Sequence, residues 1–295
     1  MASLKVLRRR IRSASTIQQI TKAMEMVSAA KLRRAQGRAL ATRPYARALT
    51  RMLGRLAAEA RERELPGLAF LTAPADGRPA ALVVITADRG LCGGFNAALF
   101  RAAEERLAAA EGRLGLVVVG RKGRDFFRRR RLPVLAVFTD VGTDANVGFA
   151  RRVTTDALER FARGEVGRVD LLYTRFESIA RRRVTFEPFL PIAAEDAAAA
   201  PGVAGAGRAA RDVIFEPGLE PLFEALLPRF AVARMLAALA DSRASEEAAR
   251  MLAMEAANKN AGELLDILVL QRNRLRQNMI TREILDIVGG AEALL

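Results

Sequence analysis

Two long helical patterns occupy the ends of the chain. From Ser3 to about Ala60 most residues are good helix formers, and Leu4–Gln36 contains neither proline nor glycine. Apolar residues recur there every three or four positions, at Leu4, Leu7, Ile11, Ile17, Ile20, Met24 and Val27. This spacing predicts the seam of a coiled coil. Pro44 is expected to bend or interrupt the helix, because its ring removes a backbone donor.

The second helical pattern runs from about Leu219 to Val288. Pro228 predicts a kink in it, or a delayed start near Arg229. Its seam alternates by three and four through Met251, Met254, Asn258, Ala261, Leu265, Leu268, Arg272, Leu275 and Met279. A helix of about 60 residues would be ~90 Å long and must be covered by another long helix. The two ends are therefore expected to pair as an antiparallel coiled coil.

The middle of the chain has a different pattern, in which short β-branched runs alternate with helical stretches. Such alternation predicts a largely parallel, Rossmann-like sheet. The strands are expected at Ala80–Thr86, Leu114–Val119, Val134–Thr139, Val169–Thr174 and Val184–Phe189, and the helices at Ala97–Glu111, Gly123–Arg131 and Val147–Arg163.

The predicted fold is therefore α/β plus a long antiparallel α-helical coiled coil, with the Rossmann-like α/β domain inserted between the paired terminal helices. The domain boundaries follow from changes in composition. We expect an N-terminal helix at 1–62, a Pro/Gly-containing linker at 63–79, the α/β domain at 80–192, an Ala/Gly-rich flexible loop at 193–218 and the C-terminal helix at 219–295.

Charge is concentrated at the N-terminus. The chain carries a net charge of +15, and Met1–Arg55 holds fourteen basic residues and one acid, Glu25. This segment should face an acidic partner. A nucleic acid is an alternative partner, although Tyr45 is the only aromatic residue before Phe70 to stack on bases. The Arg-rich start could also be a transit peptide, but the uninterrupted helical pattern favours a helix start.

Catalytic and metal-binding chemistry have little support in the composition. The chain of 295 residues has no histidine and one cysteine, Cys92, so a zinc site and a Cys–His pair are not expected. The Gly-rich segment Asp88–Asn96 follows the first strand, where nucleotide-binding folds place a phosphate loop. It matches neither GxxxxGK[ST] nor GxGxxG, so a tight turn is the favoured interpretation. A nucleotide-dependent enzyme remains the competing hypothesis. No apolar run approaches the length of a membrane span.

Three segments carry a family resemblance. They are IQQITKAMEMVSAAKLRRAQ at Ile17–Gln36, ITADRGLCGGFN at Ile85–Asn96 and the C-terminal stretch Ala244–Leu294, which includes RLRQNMITRE. All three resemble the gamma subunit of F-type ATP synthases and occur in that family's order. Departures are Gln271, where the family often has tyrosine, Pro228, and the divergent stretch Ala193–Arg211.

The resemblance implies a non-catalytic rotor shaft with no cofactor and no metal. One copy would stand inside the hexamer of alpha and beta subunits, contact the epsilon subunit and the c-ring, and couple proton or sodium flow to ATP synthesis on the beta subunits. It implies a peripheral position at the cytoplasmic face of a bacterial inner membrane. By motif position, the contacts to the hexamer would be Met24, Arg250, Arg276, Gln277, Thr281 and Glu283, with Ile287–Leu294 deepest in the hexamer.

Overall fold

The computed structural model describes residues 4–62, 77–142, 146–192, 216 and 218–292. Their order is α1 (Leu4–Glu62), β1 (Ala80–Ile85), α2 (Phe95–Ala109), β2 (Leu114–Val119), α3 (Arg121–Arg129), β3 (Val134–Phe138), α4 (Val147–Ala162), β4 (Arg168–Phe176), β5 (Arg182–Leu190) and α5 (Leu219–Glu292). The chain divides into a coil unit, residues 1–29 with 250–295, and an α/β unit, residues 30–249. Most of the predicted linker and the predicted loop at 193–211 lie outside the described residues.

The α/β unit is built on a five-stranded sheet of order β3-β2-β1-β4-β5. Strands β1 to β4 pair in parallel, and β5 pairs with β4 antiparallel. β1 and β2 contain almost only buried apolar residues, because both faces of the sheet are covered. This confirms the Rossmann-like arrangement predicted from the alternating pattern.

Two hydrophobic cores cover the two faces of the sheet. On one face, α2 and α3 contribute Phe95, Leu99 and Phe127 to a core that also contains Leu82 and Leu116. On the other face, α1, α4 and α5 pack together against the strands. Representative residues of that second core are Leu53, Phe149, Phe161, Phe230 and Met235. The parts of α1 and α5 within this unit are therefore components of the α/β core.

In the coil unit, α1 and α5 run antiparallel. Leu7, Ala14 and Leu268 are buried together, with Ile11, Leu265 and Leu275 packed against them. Further along α1, Gln18 approaches Gly262, so rising numbers on α1 meet falling numbers on α5. The α5 seam is confirmed from Met254 to Leu275, where every predicted seam residue is buried or half-buried. Met279 is exposed and lies beyond it.

The seam predicted on α1 is wrong in its central part. Ile17, Ile20 and Val27 are all more than half exposed, at 54%, 53% and 53%. The residues buried along this stretch of α1 are instead small or polar, namely Ala14, Thr21 and Ser28. They continue the seven-residue repeat that starts at Leu7, and helix geometry keeps that repeat on one face regardless of side-chain polarity.

Neither interior proline interrupts its helix. Pro44 lies within the continuous α1, and α5 begins at Leu219 and continues through Pro228, so the delayed start near Arg229 is wrong. Both prolines are exposed, where a backbone carbonyl without its helical partner can bond water. Buried neighbours such as Leu226, Leu227 and Phe230 hold the helix against the sheet on its other side.

Candidate functional site

The six residues expected to contact a surrounding protein lie on α1 and α5 and differ in exposure. Arg276, Gln277, Thr281 and Glu283 are exposed, and Met24 is half-buried. Arg250 is 7% exposed and belongs to the buried polar residues. The structure therefore presents four of the six directly to a partner.

These residues do not converge on a pocket. At 1.5 Å per residue, Arg250 and Arg276 are ~39 Å apart along α5. The four exposed residues, by contrast, fall within about two helical turns of each other. Such an extended arrangement suits contacts along a shaft and offers no enclosed volume for a reaction.

The segment from Arg276 to Gly289, called the α5 tip below, has only exposed side chains. It continues α5 as a regular helix, yet nothing in the described chain packs on it. Among its apolar residues, Ile280, Ile284 and Ile287 share one face by their spacing, with exposures of 45%, 54% and 72%. An apolar stripe of this kind on a helix is typical of a segment that enters a groove in another protein.

The paired part of the coil unit also exposes apolar side chains that the sequence patterns did not single out as a partner surface. On α1 these are Ile17, Ile20 and Val27, and on α5 they are Leu264, Ile267 and Leu270. Extending the repeat from Leu7 would have identified the α1 residues as outward-facing. Arg8, Arg9, Arg10 and Arg12 are exposed on the same helix, so the coil unit presents both apolar and cationic surface.

Comparison with known proteins agrees with this architecture. The family model described as ATP synthase matches residues 3–294. The ATP synthase gamma chain of Moorella thermoacetica is 44% identical over 294 residues, and that of an Anaeromyxobacter species is 47% identical over 300 residues. Both alignments cover 100% of each chain.

This chain belongs to the ATP synthase gamma chain family. It is therefore a gamma subunit of an F-type ATP synthase and part of the central stalk of the rotor.

Solved structures have the same fold as this gamma chain family member. A chain from the Tetrahymena thermophila mitochondrial ATP synthase, in a structure of the central stalk and c-ring, is 26% identical with a TM-score of 0.63. The match covers 81% of this chain and 99% of that one. A chain of the Euglena gracilis mitochondrial enzyme is 20% identical with a TM-score of 0.65, covering 99% and 94% of the two chains.

In this gamma chain the Gly-rich loop after β1 is a structural turn with its own anion. The carboxylate of Asp88 accepts hydrogen bonds from the backbone N–H groups of Arg121 and Val141, each at 3.0 Å. Arg121 is the first residue of α3, and Val141 follows β3. A negative side chain thus occupies the helix N-terminus where a nucleotide fold would hold phosphate.

The crevice at the carboxyl ends of β1 and β4 is also filled. Open α/β sheets bind ligands where the strand order reverses, which here lies between β1 and β4. The hydroxyl of Ser245 donates to the carbonyl of Thr174 at 3.0 Å, and that of Ser242 donates to Ile85 at 3.4 Å. Helix α5 therefore crosses this edge of the sheet, which argues against the nucleotide-dependent enzyme.

Cys92 has a packing role in the same loop. It is 2% exposed, and the amide of Asn96 donates to its Sγ at 3.2 Å. Neither burial nor an amide neighbour activates a thiol. Within the described part of the chain no group of three or more acidic or cysteine side chains is placed to hold a metal ion. None of the described helices is long and apolar enough to span a membrane.

A charged network fixes α5 to the far edge of the sheet. Arg234 on α5 donates to the Oε1 atom of Glu187 on β5 at 2.8 Å, and the Tyr173 hydroxyl donates to Oε2 at 2.8 Å. Burial disfavours the ionised form of Glu187, but the charge and hydrogen bond of Arg234, with the bond from Tyr173, outweigh it and lower the pKa of Glu187. Burial and the nearby Glu187 charge raise the pKa of Tyr173.

Proposed function

We propose that this chain is the non-catalytic shaft of its ATP synthase and acts by rotating inside the alpha/beta hexamer. One copy would connect that hexamer to the epsilon subunit and the c-ring, at the cytoplasmic face of a bacterial inner membrane. ATP would be made and hydrolysed on the beta subunits. The angle of the shaft would bias each catalytic site in turn, because each orientation presents different contacts to the three sites.

The observation that carries this proposal is the exposure of the whole α5 tip. A helix with an exposed apolar stripe is costly in water and is stabilised when a protein surrounds it. Arg276, Gln277, Thr281 and Glu283 would provide the polar contacts of the tip to the hexamer, and residues 287–294 would lie deepest in it. Met24 and Arg250 would contact the hexamer lower on the shaft.

The proposed division of labour follows the chain. Helices 1–62 and 219–295 would form the shaft, and the α/β domain at 80–192 would contact the epsilon subunit and the c-ring. Segments 63–79 and 193–218 would connect these parts. The exposed arginines near the start of α1 would face acidic loops of the beta subunits, since opposite charges favour that orientation.

The test is to assemble the complete ATP synthase with a chain truncated after Leu275. Native mass spectrometry should still show one copy per hexamer, because the remaining seam on α5 is intact. ATP-driven ion pumping should fall strongly. Pumping at the full rate by a complex lacking residues 276–295 would refute the role of the tip.

A pair of matched variants tests the four polar contacts individually. One variant carries alanine at Arg276, Gln277, Thr281 and Glu283. The control carries alanine at Arg274, Asn278 and Arg282, which are equally exposed on the same segment. Pumping per ATP hydrolysed should fall in the first and stay near the parent value in the control. Equal losses would mean that only the helix, and not these contacts, matters.

A further inference from the structure

An apolar cavity of about 650 Å³ lies between α1, α4 and α5 inside the α/β unit. Its apolar walls include Val147, Leu158, Pro228, Val232, Ala233 and Leu236. The volume lies within the range of about 300–1,000 Å³ that is usual for small-molecule sites. The cavity lies on the sheet face opposite to α2 and α3, away from the filled crevice at the ends of β1 and β4.

One polar group within this cavity lacks the partner that burial normally demands. Thr154 on α4 is 0% exposed and lines the cavity, and its Oγ1 atom forms no hydrogen bond with the described residues. Burying a hydroxyl without a partner is unfavourable, so such groups usually mark a missing ligand or water. The hydroxyl can donate one hydrogen bond to an acceptor placed in the cavity.

Two arginines also line the cavity and are exposed. Arg151 lies three residues before Thr154, so the two side chains share one face of α4. Arg229 contributes a second guanidinium from α5. Neither forms an ion pair with another described residue, and one carboxylate, Glu224, lines the cavity with them. The cavity therefore combines an apolar body with an excess of positive charge.

We propose that this cavity binds a single-chain anionic amphiphile, such as a long-chain carboxylate. The carboxylate accepts hydrogen bonds from the Thr154 hydroxyl and the Arg151 guanidinium, and Arg229 adds a second positive charge. The alkyl chain lies along Val232, Leu236 and Leu158. This occupant satisfies the buried hydroxyl, the unpaired arginines and the apolar walls together.

Calorimetric titration of the purified full-length chain with laurate, below its critical micelle concentration, tests the proposal. We expect saturable binding of one laurate per chain. Dodecyltrimethylammonium, which has the same tail and the opposite charge, should bind at least about tenfold more weakly, because hydrogen bonds to a charged group contribute strongly. Absence of saturation, or equal binding of the two amphiphiles, would overturn it.

Variants separate this cavity from general attraction to a basic chain. Arg151→Glu combined with Arg229→Glu should weaken laurate binding at least about tenfold, and Thr154→Val about threefold to tenfold. The control is Arg128→Glu, which reverses an exposed charge on α3 at the opposite sheet face. Circular dichroism checks that each variant is folded. Equal weakening by the control, or no weakening by Thr154→Val, contradicts the assignment.

Discussion

Arg234 and Glu187 form a partly buried ion pair that joins α5 to β5, with 2.8 Å between Nη2 and Oε1. Their side chains are 13% and 27% exposed, so water screens the pair only in part. The two residues are 47 positions apart, and β5 is an edge strand held by β4 alone. The pair therefore helps to fix the antiparallel edge of the sheet to the long helix.

Replacement of Arg234 by methionine should destabilise the chain. The substitution keeps much of the apolar stem but leaves the Glu187 carboxylate without its main counter-charge. We expect a loss of about 1–3 kcal/mol in the free energy of unfolding, measured by urea denaturation. The control is Arg163→Met, because Arg163 pairs with Glu159 at side-chain exposures of 56% and 59%. Such exposed pairs contribute about 0–1 kcal/mol, so a similar loss in both variants would contradict the role assigned to Arg234.

The same pair predicts how stability depends on pH. The pKa of Glu187 is lowered in the folded chain from a reference of 4.5. Its stabilising contribution is therefore fully present above the unfolded pKa and is lost as pH falls through the folded pKa. In Glu187→Gln this site no longer titrates, so the stability difference between parent and variant should shrink from about pH 6 to about pH 3. A difference that stays constant over this range would contradict the assignment.

The sequence patterns predicted the element order and both long helices, because strongly apolar strands and long helical periods are local signals. They did not predict which face of α1 is buried. Ile17 and Ile20 were assigned to the seam because they are large and apolar, yet the packed position between them and Leu7 is Ala14. In a close helix pair the geometry of the repeat decides the seam, and large outward residues are available to a partner.

The candidate site was predictable only in part for a similar reason. The exposure of the α5 tip depends on where α1 ends relative to α5, and the pairing register of the two helices settles this. The prolines show the same limit. Pro228 breaks a helix in isolation, but Leu227 and Phe230 are buried beside it and hold the helix in place. Tertiary packing overrides the local preference there.

Asp88 should be important for the stability of the loop that follows β1. Asp88→Asn removes the negative charge and turns one acceptor oxygen into an NH₂ group that cannot accept from the backbone. We expect a loss of about 1–3 kcal/mol in the free energy of unfolding, measured by urea denaturation. Asp125→Asn is the control, since Asp125 has a 46% exposed side chain and pairs only with its neighbour Arg124 on the surface. It should change stability by less than about 0.5 kcal/mol, and a Asp88→Asn effect of that size would show that the loop does not depend on the carboxylate.

Leu268 and Ile267 are adjacent on α5 but face opposite environments, and this allows seam and surface to be tested with one pair of variants. Leu268 is 6% exposed and packs with Leu7 and Ala14, whereas Ile267 is 55% exposed. Leu268→Ala should lower the free energy of unfolding of the isolated chain by about 2–3 kcal/mol, and Ile267→Ala by less than about 1 kcal/mol. In the assembled ATP synthase, Ile267→Ala should instead weaken retention of the chain in the complex, measured by native mass spectrometry over increasing salt and temperature. If Ile267→Ala destabilised the isolated chain as much as Leu268→Ala, the seam would have to pass through Ile267. If it changed neither the isolated chain nor the complex, the exposed apolar surface of the coil unit would not be a contact surface.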